Sequence, residues 1–548
     1  MELNLPIHTY QLRSRPASPA RLVNCMPEQV PPDAQKNAVP AILIRAPGVK
    51  AWTTVGDGPI RGMYAAHIEL TTGHIEYLYV VSGQKLYYVD TAKAVTEIGT
   101  VGGGGRIDID SNLNWVVVVN EPDGYSWRGT HTGTHTGANN VGGTDTEGIM
   151  EDSAASFPPG KLVGETISNT TDLSAGIITA NTETTVTVIL ANGTGDDWDT
   201  SDAYTINTFA KIADDDFISR GAGDVEFLDD FMIFREPDSA RFFIAEYGST
   251  SDFDALQFAI ADSSTDDLVG MIEDHRQLLL FGTKSLELWE NTGAFGVPFE
   301  RNINGVIPKG CLNAATIAAV DYSVYWVAED NTVRRLDGLT PMVVSTHAVE
   351  QFIAAATAST LEAFTYDQEG HFFYVLTADE GTFVLDLRTS EWHERETYAK
   401  NNWQPRQYAQ FAGKELVGDS NSNKIGEIDP DTFADWGGIQ RMEWTYQTVY
   451  AKGQRAFHNR LEIVMETGVG LTTGQGSAPK IMLQYSDDGG KTWQAMPDKD
   501  LGALGDRDVR AVWWNLGSAR QRVYRAAVSD PIAITVLDTI LEVDGGRL

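Results

Sequence analysis

Val80-Val-Ser-Gly-Gln-Lys-Leu-Tyr-Tyr88 and Trp326-Val-Ala-Glu-Asp-Asn-Thr-Val333 each read as two apolar strands folded around a short polar turn. Similar β-rich runs recur at residues 76–90, 114–127, 226–245, 276–290, 323–336, 371–387 and 414–428, with almost no helical periodicity between them. Taking Tyr79, Val116, Phe231, Leu279, Tyr325, Phe373 and Leu416 as anchors, the spacings are 37, 115, 48, 46, 48 and 43 residues. Removing residues 130–207 reduces the one long gap to 37 and restores the period. A repeat of about 40 to 50 residues with several strands per unit marks propeller blades. The expected fold class is therefore all-β, a β-propeller of six or seven blades, and the competing reading is an irregular series of sandwich hairpins.

The remaining segments differ in composition. Residues 1–50 hold 8 of the 21 prolines and carry a net charge of +3, which reads as an extended arm lying on another surface and not entering a sheet interior. Residues 51–129 and 208–431 form the propeller. Residues 130–207 open with Thr130-His-Thr-Gly-Thr-His-Thr-Gly137, carry 11 acidic residues against Lys161, and read as a small inserted β domain on a flexible stalk. From 432 to 548 the strands lengthen and charge nearly cancels, as expected of a separate β-sandwich.

The chain of 548 residues has net charge -35, of which -27 falls in the propeller segment. Such a surface repels a phosphate backbone and argues against sequence-specific nucleic-acid binding. Cys25 and Cys311 are too few for a disulfide framework or a paired zinc site, and fit a reducing compartment. No stretch is apolar enough to span a bilayer as a helix, so no membrane anchor is expected.

Few residues carry a chemical signal. Ser486-Asp-Asp-Gly-Gly-Lys-Thr-Trp493 matches the Asp-box turn, in which Asp488 bonds backbone donors, Gly490 supplies an unusual backbone conformation and Trp493 plugs the neighbouring core. His131 and His135 lack a third metal ligand and a helical context. Asp419-x-Asn421-x-Asn423 begins like a calcium loop, but Lys424 stands where glycine is needed and Pro430 where glutamate is needed. Gly102 to Gly105 lack the spacing of a dinucleotide fingerprint. Carboxylates such as Asp367, Glu369, Glu391 and Glu394 could supply a glycosidase pair, as in any acidic chain. No catalytic, cofactor-binding or metal residues are assigned, no cofactor is expected, and the chain is read as no enzyme.

Arg21-Leu-Val-Asn-Cys-Met-Pro-Glu28 and Arg45-Ala-Pro-Gly-Val-Lys50 resemble the packaged-DNA stabilisation family, the tail hub or nozzle proteins of short-tailed phages. The resemblance covers the propeller and the C-terminal sandwich loosely, leaving out residues 130–207. It implies a virion tail protein assembled in the host cytoplasm, self-associating into a homohexameric ring docked below the portal and its head-to-tail adaptor. It further implies contact with tailspike, fibre or tail needle proteins, and passage of packaged DNA through the channel without specific binding. The alternatives are a receptor-binding propeller and a glycan-degrading virion enzyme.

Overall fold

The computed structural model describes residues 3–11, 18–30, 41–70, 73–112, 115–139, 147–157, 159–160, 162–451 and 453–545. Lys161 lies outside them. The chain divides into two compact units, one of residues 61–261 with 291–299, the other of residues 1–60, 262–290 and 300–548.

The first unit contains three four-stranded antiparallel sheets. Ile60–Leu70, Gly73–Ser82, Lys85–Val89 and Val95–Thr100 make one. Asp108–Ser111, Val116–Asn120 and Asp123–Trp127 make the next, completed by Ala210–Lys211. Val225–Leu228, Phe231–Arg235, Arg241–Ala245 and Phe253–Ile260 make the third. The run of residues 116–119 is apolar throughout because both of its faces are covered: Val116 and Val118 pack with Tyr79 and Val81, while Val117 and Val119 pack with Met232 and Phe234. Carboxylates lace the second sheet to the third, since Asp108 and Asp110 accept the backbone N–H groups of Val225 and Phe227 at 2.9 and 2.6 Å.

The 130–207 segment sits between the third and fourth strands of the second sheet and forms six strands of its own. Its first strand, Thr130–Thr134, pairs antiparallel with its last, Ala203–Asn207, so the two ends leave side by side. Met150, Ile167, Val186, Trp198 and Ile206 fill its core. The expected flexible stalk is thus corrected over its first five residues: alternating threonine favours an extended ladder there.

The second unit contains four more four-strand repeats and a two-sheet sandwich. Leu268–Asp274, Gln277–Gly282, Leu286–Asn291 and Phe299–Ile307 form the fourth sheet. Ala318–Val320, Ser323–Val327, Val333–Asp337 and Thr340–Val343 form the fifth. Glu362–Gln368, His371–Ala378, Gly381–Asp386 and Glu391–Glu394 form the sixth. The seventh takes Pro405–Phe411, Lys414–Asp419 and Lys424–Asp429, and its fourth strand is Gly48–Thr54 from the start of the chain. Seven such repeats among the described residues meet the upper value of the six-or-seven expectation, and the borrowed strand is the pairing by which propellers join their ends.

The sandwich also draws on the beginning of the chain. Pro19–Val23 lies inside one sheet, between Glu391–Glu394 of the sixth repeat and Met442–Thr445. Cys25–Gln29 and Ala41–Arg45 extend the other, against Thr535–Gly545 and Ala456–Met465. Leu22, Trp444, Trp513, Tyr524 and Leu541 meet in the core between them. The expectation of a peripheral arm is overturned for these strands. Proline occurs where it costs no ladder bond, with Pro19 opening a strand and Pro27 on an edge strand, so the prolines permit sheet entry.

Candidate functional site

Both N-terminal passages singled out in the sequence converge on one junction in the second unit. Asn24 is its pivot. It is buried, sits at φ 53, and uses its side chain as a connector: Nδ2 donates to the carbonyls of Glu396 and Arg441 at 2.9 Å each, and Oδ1 accepts the Glu396 N–H at 3.1 Å. Asparagine tolerates this left-handed conformation better than most residues. One side chain therefore ties the sixth repeat to the strand that starts the sandwich.

Charged groups surround the pivot. Arg21 reaches Glu394 at 2.7 Å and Glu396 at 3.3 Å, and the Glu394 charge holds its guanidinium more firmly protonated than usual. Glu443 pairs with Arg441 at 2.8 Å and with Arg525 at 3.5 Å. Burial pushes the Cys25 thiol well above its ordinary range, so it behaves as a small apolar group.

The second passage completes the junction. Arg45 is buried and bonds Gln440 and the carbonyls of Asp530 and Ile532. Arg395 donates to the Pro47 carbonyl at 2.5 Å. Gly48 passes so close to Ala434 that a Cβ would collide with its backbone carbonyl. Asp435 is buried beside Arg395 and Arg45, and burial raises its carboxyl to about 6. Sequence reasoning missed this role for Arg45, Arg395 and Asp435, since nothing local announces a pairing across hundreds of residues.

The other singled-out residues serve local structure. Asp488 accepts the N–H groups of Lys491 and Thr492 at 2.9 and 3.0 Å, and bonds to the Thr492 hydroxyl lead the causes that hold its carboxyl well below the usual range. Gly490 adopts φ 87, but Trp493 is half-buried beneath the Arg525 guanidinium at 4.1 Å, a correction to the expected core plug. Asp419 caps the Asn421 N–H at 2.9 Å, and Asn423 bonds the Gly56 carbonyl, so this loop ties the seventh repeat together. His135 accepts the Glu151 N–H at 2.9 Å through Nδ1, and His131 packs edge-on against Phe157. Among the described residues no group of three or more His, Cys, Asp or Glu is placed to hold a metal ion. Gly102 accepts from Asn120 and Gly105 from Arg61, within a turn between sheets. The four carboxylates are dispersed: Glu394 pairs with Arg21, Glu391 with His8 at 3.4 Å, Asp367 ends a strand, and Glu369 occupies a turn at φ 52.

A family model described as bacteriophage P22 Gp10, beta-propeller, matches residues 161–433, and a second, bacteriophage P22 Gp10, beta-sandwich, matches residues 441–544. The chain belongs to the bacteriophage P22 Gp10 family. This is the packaged-DNA stabilisation or tail hub family, whose members are structural phage tail proteins and virion components. The first match opens inside the inserted segment, so the expectation that the likeness would skip all of 130–207 is corrected for residues 161–207. The N-terminal passages lie outside both matches. No curated protein matches the chain. Among solved structures, a streptogramin B lyase shares 9% identity over 70% of this chain and 96% of its own, with a TM-score of 0.37. The Pan2 WD40 domain of Neurospora crassa shares 8% over 69% and 96%, with a TM-score of 0.34. Virginiamycin B lyase of Staphylococcus aureus shares 8% over 68% and 97%, also at 0.34. No helix among the described residues is long and apolar enough to cross a membrane.

Proposed function

We propose that this chain is the hub or nozzle of a short tail, a homohexameric ring docked on the head-to-tail adaptor below the portal. It extends and closes the DNA channel, retains the packaged genome and opens for ejection. The observation that carries this reading is the match to the tail-hub family across both the propeller and the sandwich. The junction around Asn24 supports it, because a channel wall under load benefits from a propeller and a sandwich that share strands and buried hydrogen bonds.

The acidic charge of the propeller segment gives the channel its surface chemistry. Carboxylates facing the lumen repel phosphates, so duplex DNA slides past without adhering. The chain works without a cofactor or catalytic residue, meets tailspike, fibre or needle proteins at the virion tail, and assembles in the host cytoplasm. Residues 51–129 and 208–431 supply the propeller, 130–207 an inserted β domain, and 432–548 the sandwich together with the strands from residues 19–45.

The test is retention. Particles assembled without this chain should lose nuclease protection of their packaged DNA, and adding it back should restore that protection. Fully protected genomes in its absence would remove the proposal.

A further inference from the structure

Among the described residues, one face of the sheet that joins the sixth repeat to the sandwich is left uncovered. Strand alternation sends Leu22, Trp444 and Ala526 into the sandwich core, and turns Arg21, Thr445 and Arg525 to the opposite face. These three stand in one cross-strand row, with Arg21 opposite Thr445 and Thr445 opposite Arg525. Glu394 and Glu443 occupy the neighbouring row, each in register with Val23. The helix His347–Ala355 walls one side through Gln351 and Phe352, and the Asp-box turn walls another through Gly489, Gly490 and Trp493. The cleft, open to solvent on one side, measures about 550 Å³. That lies in the range of small-molecule sites, about 300–1,000 Å³.

The lining selects the class of ligand. Its four charged side chains are Arg21, Arg525, Glu394 and Glu443, which cancel. An anionic ligand meets two nearly buried carboxylates and a cationic one meets two guanidiniums, so neither is favoured. A peptide strand cannot add to the floor, because the strands there are already paired on both sides. What remains is planar, bidentate hydrogen-bonding groups held rigid by ion pairs, between aromatic walls. Phe352 packs on Phe383 at 4.8 Å, and Trp493 is partly exposed. The buried Nε2 of Gln351, in the cleft wall, has no hydrogen-bond partner. Vicinal hydroxyls suit bidentate guanidinium and carboxylate groups, and the C–H faces of sugar rings suit aromatic side chains.

We propose that this cleft is a binding site for neutral oligosaccharides, with Arg21, Gln351 and Glu394 engaging hydroxyls and the Trp493 ring face turned away from the Arg525 guanidinium packing on a sugar ring. All the lining residues come from one copy of the chain. Its test presents the full-length protein with cello-, malto- and chito-oligosaccharides, and with polygalacturonate as the anionic counterpart, using saturation-transfer NMR and titration calorimetry. At least one neutral series should bind, polygalacturonate should not, and Gln351→Ala and Trp493→Ala should each weaken binding about tenfold. Gln351→Ala keeps helix propensity and so tests the site without threatening the fold. Failure of every neutral series, equal binding of polygalacturonate, or unchanged affinity in both variants would overturn the proposal. Solution mass measured on the same samples separates this outcome from a failure of the ring.

Discussion

Replacing Asn24 tests whether the junction between propeller and sandwich rests on one side chain. Asn24→Ala strips partners from the Glu396 N–H and from the Glu396 and Arg441 carbonyls, all around a buried position. Each lost net hydrogen bond costs about 1 kcal/mol. Alanine at φ 53 adds about 1 kcal/mol of backbone strain. The expected destabilisation is about 3–5 kcal/mol, or about 2 M in the urea midpoint if m is about 2 kcal/mol/M. Asn24→Gly separates the two causes: glycine loses the same bonds but accepts the left-handed backbone, so it should be about 1 kcal/mol less destabilised than alanine. Urea unfolding followed by tryptophan fluorescence reads the midpoints, with buried Trp444 reporting the sandwich. Asn24→Ala within about 0.5 kcal/mol of the parent, or Asn24→Gly worse than Asn24→Ala, would refute the reasoning.

Three further outcomes follow from the same geometry. Deleting residues 2–40 removes an interior strand and uncovers the core beside Trp444, so the sandwich should lose cooperative unfolding by calorimetry while the repeats keep their β signal. Gly48→Ala drives a methyl group into the backbone of residues 432–434, with Thr432 O at 2.8 Å. A cost of about 1–3 kcal/mol is expected, visible as faster amide exchange along Lys424–Asp429. Burial raises the Glu165 carboxyl to about 7. The folded segment therefore holds that proton where the unfolded chain has released it, and stability falls as pH rises from about 4.5 to about 7. Glu165→Gln should flatten this fall in thermal melts.

The propeller was legible because its signal is local and repeated. Runs such as residues 80–88 and 326–333 carry apolar strands and turn residues within a few positions, and the 115-residue gap exposed the inserted segment. The Asp-box turn was legible for the same reason, since Ser486, Asp488, Gly490 and Thr492 bond one another. Trp493 was misread, because whether a side chain at the end of a turn enters a core depends on its neighbour, here Arg525. The junction was hidden for a related reason. Val23 pairs with Glu394 and Glu443, and Gly48 with Asp429, partners hundreds of residues away whose identity no local pattern encodes. Proline density then pointed the wrong way, because Pro19 and Pro27 occupy the few strand positions that tolerate it.

The most direct test of the tail-hub account is the mass of the purified protein in solution, alone and after mixing with portal and adaptor complexes from the same virion. The account predicts a closed ring, six copies strong, or a monomer that becomes one on the adaptor. A monomer that ignores the adaptor would contradict it.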